Sequence, residues 1–269
     1  MVPMSSSRAG RLLGYGRTAE IFLWGDNRVL KLFRENWPPH LVEEEAKIGQ
    51  AVRETGLPVP AVEGILELDG RKGIVYERVE GRTMLEQFSD QPWTILRLIR
   101  VFTELHIAIH EHSIPNLPSQ RERLAEKIQR ASMLSEVMRE VALGILEESP
   151  DDDILCHGDF HPDQIMMSPR GPVMIDWSTA MSGNPIADVA TTSLLLRLAA
   201  PTPGRISSLL AIARGFVHWR YLKGYLNKTH VSKESLDSWG LPIATARLSE
   251  GIPEERSQLL KLIEGWSVV

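Results

Sequence analysis

One stretch near the middle of the chain constrains the fold more than any other. It begins with the turn His157-Gly158-Asp159 and continues to a side-chain amide at Gln164 and a second carboxylate at Asp176. The glycine before Asp159 favours a tight turn, and the short apolar run before Asp176 is typical of a strand. The pattern predicts turns and short strands that hold two acids, within a 269-residue chain long enough for one large domain or two lobes.

These residue types suit a particular chemistry. A carboxylate held in a turn, as at Asp159, can act as a general base towards a hydroxyl. The amide oxygen of Gln164 and the carboxylate of Asp176 are hard ligands of the kind that Mg²⁺ prefers. A base and hard oxygen ligands are what phosphoryl transfer requires.

A zinc site formed by histidines is an alternative to the magnesium site. His157 and His161 are four residues apart, but the glycine and the proline around them argue against a helix, and no third ligand can be assigned. His106 and His110 share a helix face near His112, again without a third ligand at motif spacing. We therefore disfavour zinc at both places and interpret His106, His110 and His112 as hydrogen-bonded helix histidines.

Composition narrows the class of protein. Apolar residues make up 43% of the chain, and a net charge of −5 leaves no general basic surface for nucleic acid. No apolar run is long enough to span a membrane and no apolar leader is visible, so we expect a cytoplasmic protein with a frayed N-terminus. The single cysteine, Cys156, excludes an internal disulfide and is expected in a buried strand.

Hydrophobic periodicity divides the chain near residue 80. The first part predicts a small sheet with one helix, and the second part is mainly helical around the short strands of the motif. Strands are predicted at residues 19–23, 28–33, 62–68 and 72–76, and helices at residues 39–55, 93–112, 119–148, 186–198, 206–226 and 254–263.

A lysine in the first part is expected to be buried. Lys31 shares one face of its strand with the apolar Val29 and Phe33, so its ammonium needs a partner unless the strand lies at a sheet edge. Glu45 lies on the apolar stripe of the following helix and is our first choice as that partner. Glu44 is the second choice.

Two backbone segments are suited to approach a ligand. Gly14 and Gly16 precede a strand, and their N–H groups can face phosphates, although an ordinary turn is the alternative. The segment around Glu77 and Val79 carries an apolar strand into an exposed link, and its backbone can bind a planar base. A simple linker is the alternative there.

Taken together, these residues resemble the aminoglycoside phosphotransferase and choline kinase-like family, which has the bilobal protein-kinase-like fold. The resemblance extends from about Leu12 to the C-terminal helices. It is carried by residues 156–162 (CHGDFHP), 175–177 (IDW), 184–190 (NPIADVA), 57–60 (LPVP) and 77–81 (ERVEG).

The resemblance implies an α+β fold with two lobes. Residues 1–80 would form a small β-rich N-lobe that holds the nucleotide-binding sheet and one helix. Residues 81–269 would form a larger, mainly helical C-lobe that holds the catalytic loop, the metal site and the acceptor-binding helices.

The resemblance also implies roles for individual residues. Asp159 resembles the catalytic base, Asp176 and Gln164 the Mg²⁺ ligands, and Asp188 a structural acid that supports the catalytic loop. The nucleotide would be bound by the turn at Gly14 and Gly16, by Lys31 with its partner Glu45, and by the backbone of Glu77 and Val79.

The function implied is an ATP- or GTP-dependent phosphotransferase that uses Mg²⁺ and acts on a hydroxyl of a small molecule. The family usually has Gly-Asn where this chain has Asp163-Gln164. Because Gln164 adds a methylene to the ligand, a pseudokinase-like nucleotide-binding module without efficient transfer is the alternative. A protein kinase is disfavoured, since the segment after Asp176 is short and lacks an Ala-Pro-Glu signal.

The acceptor and the oligomeric state are left open by the residues. Residues 201–269 hold nine Lys/Arg against six Asp/Glu. Since a polycationic aminoglycoside would suit an acidic acceptor lobe, this local positive charge argues against that class of acceptor.

Overall fold

The computed structural model describes residues 10–198 and 207–266, with side chains described for 10–198 and 214–266. The predicted frayed N-terminus lies almost entirely outside the described residues. The chain forms two compact units. The first comprises residues up to Thr83 together with Ile165–Ser178, and the second comprises Met84–Gln164 together with residues from Thr179 onward. Where the sequence predicted one boundary near residue 80, the structure groups residues 165–178 with the first unit.

The first unit is built on a five-stranded antiparallel sheet with the order β1-β2-β3-β5-β4. One helix, α1, packs on its apolar face through Val42 and Ala46, which contact Phe33 and Ile74. These elements are Leu12–Tyr15 (β1), Ala19–Leu23 (β2), Arg28–Phe33 (β3), Pro39–Glu54 (α1), Val62–Leu68 (β4) and Arg71–Glu77 (β5).

Strand β3 lies at the centre of this sheet, between β2 and β5. Lys31 is opposite Ile21 on one neighbour and Ile74 on the other. The edge-strand alternative for Lys31 is therefore wrong. Because the lysine is only 8% exposed, its charge must be balanced inside the unit.

The second sheet of this unit has the order β6-β8-β9, from Arg82–Thr83 (β6), Ile165–Ser168 (β8) and Gly171–Met174 (β9). Strands β8 and β9 form a tight hairpin that pairs Ile165 with Met174. Gly81 has a φ of +136°, and a Cβ there would collide with the Met167 backbone. Glycine is therefore required where the chain passes close to the hairpin.

The second unit is mainly helical, with a two-stranded sheet of β7 and β10. Its elements are Met84–Asp90 (α2), Ile95–Ile109 (α3), Gln120–Arg130 (α4), Glu136–Glu148 (α5), Ile154–Cys156 (β7), Met181–Gly183 (β10), Pro185–Leu198 (α6), Ser207–Thr229 (α7), Lys233–Asp237 (α8), Gly240–Leu248 (α9) and Pro253–Trp266 (α10). Cys156 is buried in β7, as predicted. Within the described residues, no helix combines the length and the apolar character needed to cross a membrane.

The helix predicted over residues 119–148 is two helices. Helix α4 ends at Arg130, and a turn separates it from α5. The Ser135 hydroxyl accepts a hydrogen bond from the Met138 N–H, and Ser119 caps α4 in the same way. Serine at these positions satisfies an otherwise unpaired N–H, so the chain starts a new helix instead of extending the old one.

Aromatic packing at the centre of the second unit links α3, α7 and the motif loop. Phe102 on α3 stacks on Phe160 of the loop with ring centroids 4.6 Å apart, and Tyr221 of α7 lies 5.1 Å from Phe102. All three side chains are fully buried. The position of the loop is thus fixed by the main core of this unit.

Candidate active site

A lysine with two carboxylates forms the charged centre of the first unit. The Lys31 ammonium donates to Oε1 of Glu45 at 2.7 Å and to Oδ1 of Asp176 at 2.9 Å. The predicted pairing of Lys31 with Glu45, instead of Glu44, is thereby confirmed. The Tyr76 hydroxyl, which the sequence analysis missed, also donates to Oε1 of Glu45 at 2.9 Å. The indication in the sequence was a tyrosine on β5, the strand that pairs with the Lys31 strand β3.

Burial and neighbouring charges set the protonation of this cluster. Burial acts to lower the pKa of Lys31, but Asp176 and Glu45 outweigh it, so the pKa of the lysine is raised. Burial raises the pKa of Glu45 and the Asp176 charge adds to this, against the opposing effect of Lys31. The lysine is therefore firmly cationic between two acids.

Asp176 is the solvent-accessible member of the cluster. Its side chain is 36% exposed, against 10% for Lys31 and 4% for Glu45. Its φ is +59°, a left-handed conformation that aspartate tolerates better than most residues. The Ser178 hydroxyl donates to the same oxygen as Lys31, at 2.8 Å. The turn after β9 thus fixes one carboxylate oxygen.

The glycine turn between β1 and β2 is braced by an arginine. Arg34 donates to the carbonyl oxygens of Arg17 and Gly16 at 2.8 and 3.1 Å, and the Gly16 N–H donates to the Ala19 carbonyl. A Cβ on Gly14 would meet no atom within 4 Å. Open space at Gly14 is compatible with close approach of a ligand.

At the end of β5, one backbone N–H group is already hydrogen-bonded within the protein. The Glu77 N–H donates to the Ala61 carbonyl at 2.8 Å, and the Glu77 carboxylate pairs with Arg170 of the β8–β9 hairpin at 2.6 Å. A ligand at this residue would therefore be bound through the Glu77 carbonyl. Val79 lies two residues further along, in the irregular segment after β5.

In the second unit, Asp159 lies in the turn that the sequence predicted. Gly158 has a φ of +79°, and a Cβ there would lie 2.5 Å from the Thr179 carbonyl oxygen. The Thr179 hydroxyl donates to the His157 carbonyl at 2.8 Å. Since only glycine fits between these groups, the turn before Asp159 is closely specified.

The Asp159 carboxylate is ionised and partly exposed. Its side chain is 26% exposed, and His161 Nε2 lies 3.6 Å from Oδ2. Burial acts to raise the pKa of Asp159, but His161, His157 and Arg247 together outweigh it, so the pKa is lowered. Arg247 of α9, a further neighbour missed from the sequence, is itself held by Glu255 in a bidentate pair.

Gln164 is the last residue of the first segment of the second unit, and its neighbour Asp163 is exposed. The Gln164 N–H donates to the His161 carbonyl at 2.9 Å, which closes a single turn of 3₁₀ helix over Pro162–Gln164. Gln164 is half-buried. The chain then continues directly into β8.

A buried polar network centred on Asp188 supports the turn before Asp159. Asp188 accepts from the N–H groups of His157 and Gly158, each at 2.8 Å, which confirms it as an acid that supports the loop. Nε2 of His106 lies 3.1 Å from the same carboxylate, and Nε2 of His110 lies 3.3 Å away. Burial acts to raise the pKa of Asp188, but His106 and His110 outweigh it and hold the pKa well below its ordinary value.

Both histidines are satisfied on their other nitrogen as well. Nδ1 of His106 lies 2.6 Å from the Tyr221 hydroxyl, and Nδ1 of His110 lies 2.7 Å from the Tyr225 hydroxyl. Asp188 supplies the third potential metal ligand that sequence spacing lacked, with all three ligand atoms within 4.8 Å of one another. Because every ring nitrogen has a hydrogen-bond partner, the cluster acts as a structural network, as expected for helix histidines.

Several solved structures with the same fold are phosphotransferases or kinases by name. The chain is similar to an aminoglycoside phosphotransferase, APH(4)-Ia, solved with AMP-PNP and hygromycin B, at 17% identity and a TM-score of 0.67, covering 95% of this chain and 91% of that one. It is also similar to a putative fructosamine-3-kinase from Haemophilus somnus (13%, TM-score 0.66, covering 95% and 90%) and to choline kinase from Cryptosporidium parvum (10%, 0.58, covering 95% and 87%).

These likenesses define an α+β protein of the protein-kinase-like fold. No curated protein matches the chain in sequence. The model of the phosphotransferase enzyme family matches residues 11–225, and the chain belongs to that family. Family and fold together support a small-molecule phosphotransferase.

Proposed function

We propose that this chain is an ATP- or GTP-dependent phosphotransferase that acts on a hydroxyl of a small molecule. The observation that carries the proposal is the Lys31 ammonium, held between buried Glu45 and partly exposed Asp176 in a member of the phosphotransferase family. Such an ammonium can bind phosphate oxygens while Glu45 keeps it in place. The neighbours solved with AMP-PNP favour an adenine nucleotide.

One carboxylate and one side-chain amide offer oxygen ligands that suit a divalent cation. Asp176 offers a carboxylate oxygen and Gln164 an amide oxygen, the donor types that Mg²⁺ takes alongside phosphates and water. Gln164 directly precedes β8, Asp176 follows β9 after one residue, and Ile165 pairs with Met174. Each candidate ligand thus lies next to this hairpin in the sequence. Bound by them, Mg²⁺ would neutralise the charge of the β- and γ-phosphates.

Asp159 is the proposed catalytic base. Its lowered pKa keeps it ionised at neutral pH, so it can accept a hydrogen bond from the acceptor hydroxyl and orient it. The acceptor oxygen forms a bond to the γ-phosphorus, the bond from that phosphorus to the β,γ-bridging oxygen breaks, and the hydroxyl proton passes to Asp159. The nucleoside diphosphate is the leaving group.

Backbone groups of the first unit complete the proposed nucleotide site. The Glu77 carbonyl and the Val79 N–H would bind the base, because the Glu77 N–H is already used by Ala61. The turn at Gly14 and Gly16 would approach the phosphates through N–H groups other than that of Gly16, which is donated to the Ala19 carbonyl.

The test compares two isosteric variants. Asp176→Asn should weaken Mg²⁺-dependent binding of ATP, measured by calorimetry, at least tenfold. Asp159→Asn should bind Mg-ATP like the wild type but lose about 10²–10⁴-fold in transfer to any acceptor found in a panel of amino alcohols, sugars, nucleosides and antibiotics. Asp26→Asn, in the exposed turn between β2 and β3, is the matched control and should change neither quantity.

Full transfer by Asp159→Asn would overturn the assignment of the base. Tight Mg-ATP binding by the wild type with no transfer to any acceptor would instead favour the pseudokinase alternative, which rests on Gln164. In that case Gln164→Asn separates the two explanations: a gain of transfer would identify the longer amide as the cause.

A further inference from the structure

The helical unit contains a cavity of about 500 Å³ away from the turn at Asp159. Its lining comes mainly from α6, α7, α8 and α9, and we refer to its buried apolar residues as the floor and to its exposed charged residues as the rim. Ala190, Leu194, Leu236 and Ile243 form the floor. None of residues 157–164 is among the described residues that line it. A space of this size with an apolar floor fits the body of a small molecule.

Two tryptophans are among the residues that line the cavity. The indole of Trp266, at the end of α10, packs against Gly240 at the start of α9. A Cβ on residue 240 would collide with the indole ring. The indole of Trp219, 51% exposed, lines the cavity from α7. Two indoles present flat apolar faces suited to a ring.

The rim of the cavity is positively charged. Arg197, Lys223 and Lys233 line it and are exposed, whereas Asp237 is the only acid among its described lining residues. Asp237 pairs with Lys233 at 2.6 Å. Among the side chains that the structure describes, no carboxylate lies within ion-pair distance of Arg197 or Lys223. The Lys223 ammonium lies 5.3 Å from the centre of the Trp219 ring.

A neutral polar pair also lines the cavity. Nε2 of His218 is 2.7 Å from the Ser193 hydroxyl. Burial, together with the charge of Arg197, lowers the pKa of His218 to about 4. At neutral pH the imidazole adds hydrogen-bonding capacity without charge, so the positive rim is due to the arginine and the lysines.

We propose that this cavity is a binding site for a small molecule with an apolar, ring-sized body and one anionic group, such as a carboxylate. The body would contact the indoles and the apolar floor, and the anion would meet Arg197 and Lys223 at the rim. Cationic ligands are disfavoured, because they would face the same two charges. The site does not depend on Asp159 and goes beyond the proposed phosphotransfer.

Three indole compounds of the same size and different charge test the proposal. Indole-3-acetate, indole-3-acetamide and tryptamine carry charges of −1, 0 and +1, and their binding can be followed by ligand-observed NMR without nucleotide. We expect indole-3-acetate to bind most tightly and tryptamine least. Arg197→Gln and Lys223→Gln should each weaken the acetate by roughly two- to fivefold and leave the acetamide unchanged.

Two further variants locate the site. Ala190→Leu fills the floor and should weaken the acetate and the acetamide together, whereas Lys261→Gln, an exposed lysine on α10 outside the cavity, should change neither. Equal affinities for the three compounds, no binding at millimolar concentration, or acetate binding that is insensitive to both rim variants would overturn the proposal. Because both rim side chains are exposed, their variants should fold normally.

Discussion

The charged clusters of the two units differ in the exposure and the hydrogen bonding of their acids. In the first unit, one lysine lies between two carboxylates, and one of these acids, Asp176, remains 36% exposed. In the second unit, Asp188 is 1% exposed and accepts from two backbone N–H groups, with two histidines alongside. The first cluster has one negative charge in excess and an accessible oxygen, which is the basis for the proposed cation site. The second cluster is buried and its carboxylate is fully hydrogen-bonded, so its role is to support the loop.

This difference shows how burial separates a supporting acid from a reactive one. Desolvation penalises an isolated charge, so an acid deep in a core persists only with a full set of donors. An acid at the surface of a cluster can exchange one partner for another at little cost. The same residue type, aspartate, therefore has a structural part at position 188 and a proposed ligand-binding part at position 176.

The largest expected effect comes from neutralising the buried acid. Asp188→Asn cannot accept from both N–H groups of the loop and from the histidines, so we expect the free energy of unfolding in urea to fall by about 3 kcal/mol. Asp176→Asn, the matched change at the exposed acid, should lower it by less than about 1 kcal/mol. Equal losses in the two variants would contradict the distinction between the units.

Acidification should destabilise the second unit through its buried histidine. Burial and the His110 charge lower the pKa of His106 to about 4, against the opposing effect of Asp188. Between the ordinary histidine pKa of about 6.5 and pH 4, the unfolded chain binds the proton that the folded chain does not. The free energy of unfolding should therefore fall as the pH is lowered through this window, by up to about 1.4 kcal/mol per pH unit from this residue.

The measurement is a series of urea titrations between pH 7 and pH 4.5. His106→Gln should reduce the slope of stability against pH, because the variant has no imidazole to protonate on unfolding. His218, whose pKa is also lowered to about 4, adds a second contribution of the same sign. An identical slope in wild type and His106→Gln would show that the Asp188 network does not exclude the proton.

The smallest expected effect concerns the hydroxyl that steadies Glu45. Tyr76→Phe removes one hydrogen bond to Oε1 of Glu45 and should lower the free energy of unfolding by about 1 kcal/mol. If Tyr76 positions Glu45 and through it Lys31, Mg-ATP binding should weaken a few-fold as well, as measured by calorimetry. Tyr15→Phe, at a tyrosine 74% exposed, is the control for stability. Wild-type stability in Tyr76→Phe would show that the hydroxyl contributes nothing to the cluster.

Local patterns predicted most of the first unit. Alternation in β3 placed Lys31 on an apolar face, and helical spacing placed Glu45 on the stripe of α1 that meets it. Both patterns act over a few residues and can be recognised directly in the sequence. The break between α4 and α5 was missed because the apolar periodicity continues across it, although the cap at Ser135 carries the signal.

Contacts between segments far apart in the chain could not be predicted from the sequence. The His106–Tyr221 and His110–Tyr225 pairs each span 115 residues, and no spacing rule connects α3 with α7. Arg247 near Asp159 and the cavity around α8 and α9 depend on the same kind of packing. Helices α8 and α9 were missed altogether, and without them neither feature could be placed.

The sequence by itself determined the chemical types and the tight local geometry: the glycine turn before Asp159, the strand that ends near Asp176, and a lysine that needs a buried partner. These depend on steric limits and periodicity within a few residues. Only the tertiary structure decided which acid is satisfied and which is accessible. Desolvation and hydrogen bonding at each carboxylate are sums over groups from distant parts of the chain, and those sums exist only once the chain has folded.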